Sequence, residues 1–201
     1  MIRIILAALL WAGAANAAPL TATDRADITR IEAYLNGFQT LKSRFLQIAG
    51  DGSTSEGTAW ISRPGKLRFE YDPPTPLLLI VGYGVGFFID TKLGQTNNFP
   101  VLSSPLSILL ADKVQFSGAV DIDKIEHLPG QIQITLHRTK AADDGSITLV
   151  FADAPLALRQ WTVIDAQRNE TRVSLFKTEF GGMFDNKLFT FSPQGGAMPS
   201  R

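Results

Sequence analysis

The stretch "AWISRPGKLRFEY" (residues 59–71) predicts two antiparallel strands that meet at a Pro-Gly corner. After the corner, charged side chains alternate with the large apolar side chains of Leu67, Phe69 and Tyr71. This alternation is typical of a strand with one face on an apolar interior and the other in water. The corner requires the Pro-Gly pair, but it does not require Arg63, which directly precedes the pair.

The N-terminus has the features of a secretory signal peptide. Arg3 precedes a short apolar run, and small residues then lead to an Ala-x-Ala sequence that ends at Ala17. This order predicts cleavage after Ala17, and the apolar run is too short for a stable membrane-spanning helix. We therefore expect residues 1–17 to be a signal peptide and residues 18–201 to form a single domain.

The charge balance and the cysteine content exclude several classes of function. The chain has 19 Lys and Arg, 19 Asp and Glu, and no cysteine. Because there is no basic excess, the sequence indicates no binding to nucleic acid or to an anionic membrane surface. Because there is no cysteine, no residue could carry a lipid at the cleavage site, and thiol catalysis and zinc–thiolate sites are excluded.

Most of the remaining sequence predicts an antiparallel sheet. A helix is predicted over residues 23–36, capped by Thr23 or Asp24, and a short leucine-rich helix is predicted over residues 104–112. Turn-forming Gly, Pro, Asp and Ser residues separate the other segments. Ten or eleven strands are predicted, at residues 41–49, 55–62, 66–71, 77–81, 86–90, 120–128, 131–137, 146–151, 158–164, 171–179 and 187–191.

Several of these strands carry apolar residues on one face only. In residues 131–137, for example, Ile132, Ile134 and Leu136 alternate with polar side chains. A large sheet must bury such a face under helices, on a second sheet or by closing on itself, and a barrel of more than about eight strands leaves a cavity. Two alternatives stay open: a curved sheet with a thin helical lid over an occupied apolar cavity, or a fully packed barrel without a ligand.

Four stretches of the sequence resemble a known family. They are, in chain order, "FQTLKSRFLQ" (38–47), "GTAWISRPGKLRFEYDPP" (57–74), "SPLSILLAD" (104–112) and "KLFTFSP" (187–193). Together they resemble the LolA family of periplasmic outer-membrane lipoprotein carriers. The resemblance implies a mainly β fold, in which one curved antiparallel sheet forms an incomplete, unclosed β-barrel with α-helices as a lid over a hydrophobic cavity. This fold agrees with the first of the two alternatives.

The resemblance also implies a function and its partners. A member of this family would receive outer-membrane lipoproteins from an inner-membrane lipoprotein-releasing ABC transporter in the periplasm. It would shield their acyl chains and pass them to an outer-membrane acceptor. We expect a monomer that uses no cofactor and no metal.

Arg63 has a specific role by the same resemblance. In the family, the arginine of the Arg-Pro pair contacts backbone carbonyls of the lid and holds the empty cavity shut. A guanidinium has five donors in a fixed fork, which suits the unpaired carbonyls at a helix end. The alternative interpretation is a surface arginine at a strand end.

Nine apolar residues are expected to line the acyl-chain cavity. The facing of two of them, Phe45 and Trp60, depends on strand register. For each aromatic residue the alternative is ordinary core packing. The expected lining residues are Leu67, Phe69, Tyr71, Leu106, Ile108, Leu109, Leu110, Phe45 and Trp60.

An enzyme is the main alternative class. The only histidines are His127 and His137, so few residues could form a catalytic triad or a histidine-rich metal site. No nucleophile elbow, phosphate-binding loop or zinc-protease motif occurs. We therefore expect no enzymatic activity. Closer alternatives are a periplasmic lipid-binding module or sensor that binds free lipid or mislocalised lipoprotein without transporting it, and a purely structural interaction domain.

Overall fold

The computed structural model describes residues 19–191. The predicted signal peptide, residues 1–17, lies outside this range. Within it the chain forms one α-helix and eleven strands. The helix is α1 (Ala22–Asn36), and the strands are β1 (Thr40–Ala49), β2 (Thr54–Ser62), β3 (Lys66–Tyr71), β4 (Leu77–Gly82), β5 (Val85–Asp90), β6 (Gln95–Pro100), β7 (Val120–Leu128), β8 (Gln131–Arg138), β9 (Gly145–Ala152), β10 (Ala157–Asp165) and β11 (Glu170–Phe180).

The strands form one antiparallel sheet that does not close. Their order is β6-β5-β4-β3-β2-β1-β11-β10-β9-β8-β7, so β6 and β7 are the two edges. Nearly every neighbour in the sheet is also the neighbour in sequence, as short turns require. The exception is the pairing of β1 with β11, which joins the two halves. The predicted unclosed antiparallel sheet is confirmed.

The helix α1 covers the inner face of this sheet. Thr21 caps it, with a reciprocal pair of hydrogen bonds to Asp24, so the cap lies two or three residues before the predicted one. Ile31 and Leu35 are buried in the main hydrophobic cluster, which also contains inward-facing residues from both halves of the sheet. A single helix therefore lies over an apolar face built by many strands.

The predicted helix over residues 104–112 is wrong in type and length. Only Pro105–Ile108 is helical, and it is a 3₁₀ turn capped by Ser104. The backbone N–H of Gly65, at the Pro-Gly corner, donates to the carbonyl oxygen of Leu110 at 2.8 Å. This carbonyl is therefore used by a tertiary contact, and a single turn gains too few internal hydrogen bonds to propagate as an α-helix.

Two strand predictions also need correction. Residues 187–191 do not form a strand, because the Asp185 side chain accepts from the Lys187 N–H and starts a 3₁₀ turn, Asn186–Phe189. Conversely, Gln95–Pro100 is a strand, although its polar sequence lacks apolar alternation. Its backbone pairs with β5 along the whole length of the strand.

The outer face of the sheet carries a second, smaller cluster. Leu78, Ile80 and Ile89 are buried there, with Phe87 and Phe191 packed against them. The C-terminal segment lies against this face, since a Cβ atom on Gly82 would meet the carbonyl oxygen of Phe189 at 2.3 Å. Both faces of β4 are thus covered, the inner one by the main cluster and the outer one by the chain end.

Candidate functional site

Strand β3 brings its three predicted apolar side chains into the main cluster. Leu67, Phe69 and Tyr71 are each buried, with at most 7% of the residue surface exposed. The neighbouring strand places Ile61, Ala59 and Gly57 opposite them. This part of the inner face is therefore a continuous apolar surface. The space above it is larger at Ala59 and Gly57, because their side chains are small.

The centre of this surface is a group of aromatic rings. Phe45 is fully buried and stacks on Phe69 with ring centroids 4.6 Å apart, and it meets Tyr71 edge-on at 5.2 Å. Gly57 provides the space, because a Cβ atom there would lie 2.7 Å from the Phe45 ring. Trp161 on β10 joins the group at 6.1 Å from Phe69. The sequence did not single out Trp161, although its strand was predicted.

Tyr71 closes one end of the aromatic group with a polar atom. Its hydroxyl donates to the Oε1 of Gln47 at 2.8 Å. Burial raises the pKa of Tyr71 to about 12, because the phenolate form would lose its hydration. The hydroxyl is therefore neutral at physiological pH, and the inner face beside it carries no charge from this residue.

Trp60 lies apart from the other predicted lining residues. It stands between Ala59 and Ile61 on β2, so its side chain points to the opposite face of the sheet. Its register partners are Lys42 and Arg68, and the Nζ of Lys42 lies 5.8 Å from the ring centroid. The prediction that Trp60 lines the inner surface is therefore wrong.

The segment that contains the 3₁₀ turn Pro105–Ile108 also lies over the inner face of the sheet. Ile108, Leu109 and Leu110 are buried in the main cluster, and Leu106 packs partly buried against it. The turn contacts β8, β9 and β10. All the predicted lining residues except Trp60 therefore meet in one hydrophobic cluster, between the sheet and its cover.

The two covering elements are bonded to each other. The Asn36 side chain, at the end of α1, donates to the Val114 carbonyl at 2.8 Å and accepts from the Val114 N–H at 2.9 Å. The Oε1 of Glu32 accepts from the Phe116 N–H at 2.6 Å. The helix and the segment over residues 101–119, which we call the cover segment, are thus linked through side-chain to backbone hydrogen bonds.

Arg63 holds the C-terminal end of α1 against the corner of β2 and β3. Its Nη2 donates to the backbone carbonyls of Leu35 and Phe38, and its guanidinium carbon lies 5.0 Å from the Phe38 ring centroid. The residue is 6% exposed. Burial lowers the pKa of Arg63, and the charge of Asp112 opposes this effect. The guanidinium therefore contacts helix-end carbonyls, and the helix is α1 rather than the leucine-rich segment.

The other end of α1 is held by a polar network that the sequence did not reveal. The Nε2 of His127, on edge strand β7, lies 2.9 Å from the Oδ2 of buried Asp27, and its Nδ1 lies 3.9 Å from Asp24. Arg30 bonds Asp27 at 2.5 Å and Asp153 at 3.0 Å. Hydrogen bonds from Thr21, first the backbone and then the side chain, lower the pKa of Asp24. The residues of this network lie far apart in the sequence, so no local sequence pattern indicates their contacts.

Replacing His127 with alanine should loosen the N-terminal half of α1. The substitution removes a partner of Asp27, whose side chain is only 7% exposed, while the imidazole itself is 42% exposed. We expect stability to fall by about 1 kcal/mol and amide hydrogen exchange in α1 to accelerate. His137→Ala is the matched control, because His137 also faces two carboxylates, Asp121 and Asp123, but both lie on β7. Equal exchange in α1 for the two variants would contradict the role of His127.

The described residues contain neither a candidate metal cluster nor a candidate membrane-spanning helix. No cluster of three or more His, Cys, Asp or Glu side chains that could hold a metal ion occurs in residues 19–191. No helix in the same range is long and apolar enough to cross a membrane.

Comparisons with known proteins give a consistent result. A family model described as "Outer membrane lipoprotein carrier protein LolA" matches residues 36–192. An outer-membrane lipoprotein carrier protein of Pseudomonas aeruginosa is 27% identical over 205 residues, covering 98% of this chain and 96% of the relative. One from Dechloromonas aromatica is 30% identical over 188 residues, covering 85% of each chain.

A solved structure shares the fold. A DUF1329 family protein from Desulfovibrio piger has a TM-score of 0.50 at 9% identity, with 82% of this chain and 95% of the other chain covered. At this level of identity the likeness concerns the fold alone.

Proposed function

The chain belongs to the LolA family of outer membrane lipoprotein carrier proteins, and from this premise we propose that it carries lipoproteins across the periplasm. It receives them from an inner-membrane ABC transporter, shields their acyl chains, and passes them to an outer-membrane acceptor. The observation that carries this proposal is an inner apolar face covered by elements that a few polar contacts hold in place. Residues 1–17 direct export, and residues 18–201 act as a monomeric carrier domain without cofactor.

The inner cluster supplies the attraction for acyl chains. When α1 and the cover segment move away from the sheet, the chains replace them on the apolar face. Phe45, Leu67, Phe69 and Tyr71 line the sheet side of this site. The cover side consists of Leu106, Ile108, Leu109 and Leu110. Each methylene that leaves water contributes about 0.8 kcal/mol, so several long chains could bind too tightly for release.

The contacts of the cover oppose this attraction. Charge-assisted hydrogen bonds contribute roughly 1.5–3 kcal/mol each, and Arg63 forms such bonds to Leu35 and Phe38 with α1 over the sheet. Cargo must break them on entry, so they lower its net affinity. They form again when cargo leaves. The closed cover therefore favours release without an external energy source.

A reconstituted release assay tests the proposal. Inner-membrane vesicles that contain the transporter and a labelled triacylated lipoprotein are incubated with the purified protein. We expect the lipoprotein to appear in the soluble fraction in a one-to-one complex, which mass spectrometry identifies. Vesicles without added carrier are the control. Soluble protein that contains phospholipid but no lipoprotein would contradict transport and favour the lipid-binding alternative.

A further inference from the structure

Strand β8 places an arginine at the end of an apolar row. Ile132, Ile134 and Leu136 face inward and are buried, and Arg138 continues the same face two residues later. Its register partner on β7 is Val120, which belongs to the main cluster. An inward-facing cation directly after three aliphatic residues does not serve packing alone.

Arg138 lies between two adjoining pockets. The first has a volume of about 330 Å³, is almost entirely apolar, and is bounded by the Pro-Gly corner, Ile108, Leu110 and Val120. The second has a volume of about 500 Å³ and is lined by Gly118, Ala119, Arg138, Lys140 and Ala141. Ala119 and Arg138 line both. Together they form an apolar compartment that continues into a cationic one.

The guanidinium of Arg138 is incompletely bonded. Its Nη2 donates to Asp144, but its Nε is buried without a hydrogen-bond partner in the described part of the chain. A buried donor of a charged group that lacks a partner is costly. The carboxylates at these pockets are Asp112, in the wall of the apolar one, and Asp144, which already pairs with Arg138. Arg138 lines both pockets and its side chain is 28% exposed, so an anion in the pockets can approach the accessible part of its guanidinium.

We propose that the two pockets form one site for a medium-chain fatty acid, with the acyl chain in the apolar pocket and the carboxylate on Arg138 and Lys140. A volume of about 330 Å³ is at the lower end for small-ligand pockets, which suits one chain rather than several. A carboxylate matches the planar fork of a guanidinium. The exposed Lys140 contributes a second positive charge at the mouth. Ile108 and Leu110 also belong to the proposed acyl-chain site, so the two sites share part of their wall and differ in the ligand that they bind.

Isothermal titration calorimetry of the purified protein with decanoate and 1-decanol tests this proposal. The two ligands have the same chain and differ in the charge of the head group. We expect one-to-one binding, with decanoate about tenfold tighter than 1-decanol, as one charge-assisted hydrogen bond provides. Arg138→Gln should remove this preference, whereas Arg138→Lys should retain part of it. Lys92→Gln, in the exposed turn after β5, should change neither affinity.

Asp144→Asn should change the affinity for decanoate in the opposite direction to Arg138→Gln. It removes the negative charge that pairs with the Nη2 of Arg138, so decanoate affinity should rise severalfold, and this holds even if Arg138→Gln fails to fold. The proposal is overturned if the wild type binds neither ligand, binds both equally, or keeps its preference in Arg138→Gln. Tighter binding of decyl phosphate than of decanoate would overturn the carboxylate assignment. Because no lipoprotein is present, failure here leaves the release assay unaffected.

Discussion

Arg63→Leu should accept lipoprotein from the transporter and then fail to hand it on. Leucine fills part of the arginine volume but cannot donate to the carbonyls of Leu35 and Phe38. The closed form loses two charge-assisted hydrogen bonds, so cargo no longer has to break them on entry. The bonds contribute roughly 1.5–3 kcal/mol each, and the Nε and Nη1 of Arg63, which are buried without a partner in residues 19–191, offset part of this. At 1.4 kcal/mol for each factor of ten, cargo affinity should rise about tenfold.

A two-step assay separates loading from delivery. The first step measures lipoprotein released from inner-membrane vesicles, and the second measures its transfer to outer-membrane vesicles that contain the acceptor. We expect near wild-type release and transfer reduced about tenfold for Arg63→Leu. Arg63→Lys should be intermediate, since an ammonium keeps the charge but lacks the fork geometry.

A surface arginine provides the control for this experiment. Arg172→Leu removes an arginine that, among residues 19–191, pairs with Glu170 alone, on the same strand at 2.8 Å, with both side chains 46% exposed. Its transfer should match the wild type. Transfer at the wild-type rate by Arg63→Leu would show that this contact does not control release.

The sheet could be predicted because its information is local. Strands such as β3 and β8 alternate apolar and polar residues, and Gly, Pro and Asp mark the turns between them. Consecutive hairpins then fix most of the strand order. The resemblance implied that Arg63 contacts carbonyls of the lid; in the structure it contacts the carbonyls of Leu35 and Phe38, and its role as a latch stays a prediction.

The remaining features depend on contacts between distant residues. The facing of Trp60 follows from the register of β2, which the pattern around residue 60 does not determine. The network of His127 and Asp27 joins positions 100 residues apart. Strand β6 forms through backbone pairing with β5, although its side chains are polar. The periodic pattern of one segment does not show which distant residues it contacts, so the sequence pattern could not identify these partners.

The inward direction of Arg138 on β8 follows from the sequence, but its surroundings do not. The order Ile132, Ile134, Leu136, Arg138 is visible in the sequence. The two pockets beside Arg138 are formed by residues that are distant in sequence as well as by its neighbours. A cation at the end of an apolar row therefore indicates a binding site only where the structure also forms a pocket beside it.

Phe45→Ala should strongly destabilise the fold. The ring is fully buried, stacks on Phe69, meets Tyr71 edge-on and fills the space above Gly57. Its removal leaves a cavity that the glycine cannot fill, and such truncations cost about 3–5 kcal/mol. Urea denaturation, with the slope of the transition compared between variants, measures the change in the free energy of unfolding.

The control is Phe176→Ala on the neighbouring strand β11, where the residue is 36% exposed. It should cost less than about 1 kcal/mol. If Phe45 lines the acyl-chain site, a bound chain can enter the new cavity, as small apolar ligands enter engineered cavities. Phe45→Ala should therefore regain stability on loading with lipoprotein by more than the wild type does. Equal gains for the two proteins would mean that Phe45 is a core residue that cargo never reaches.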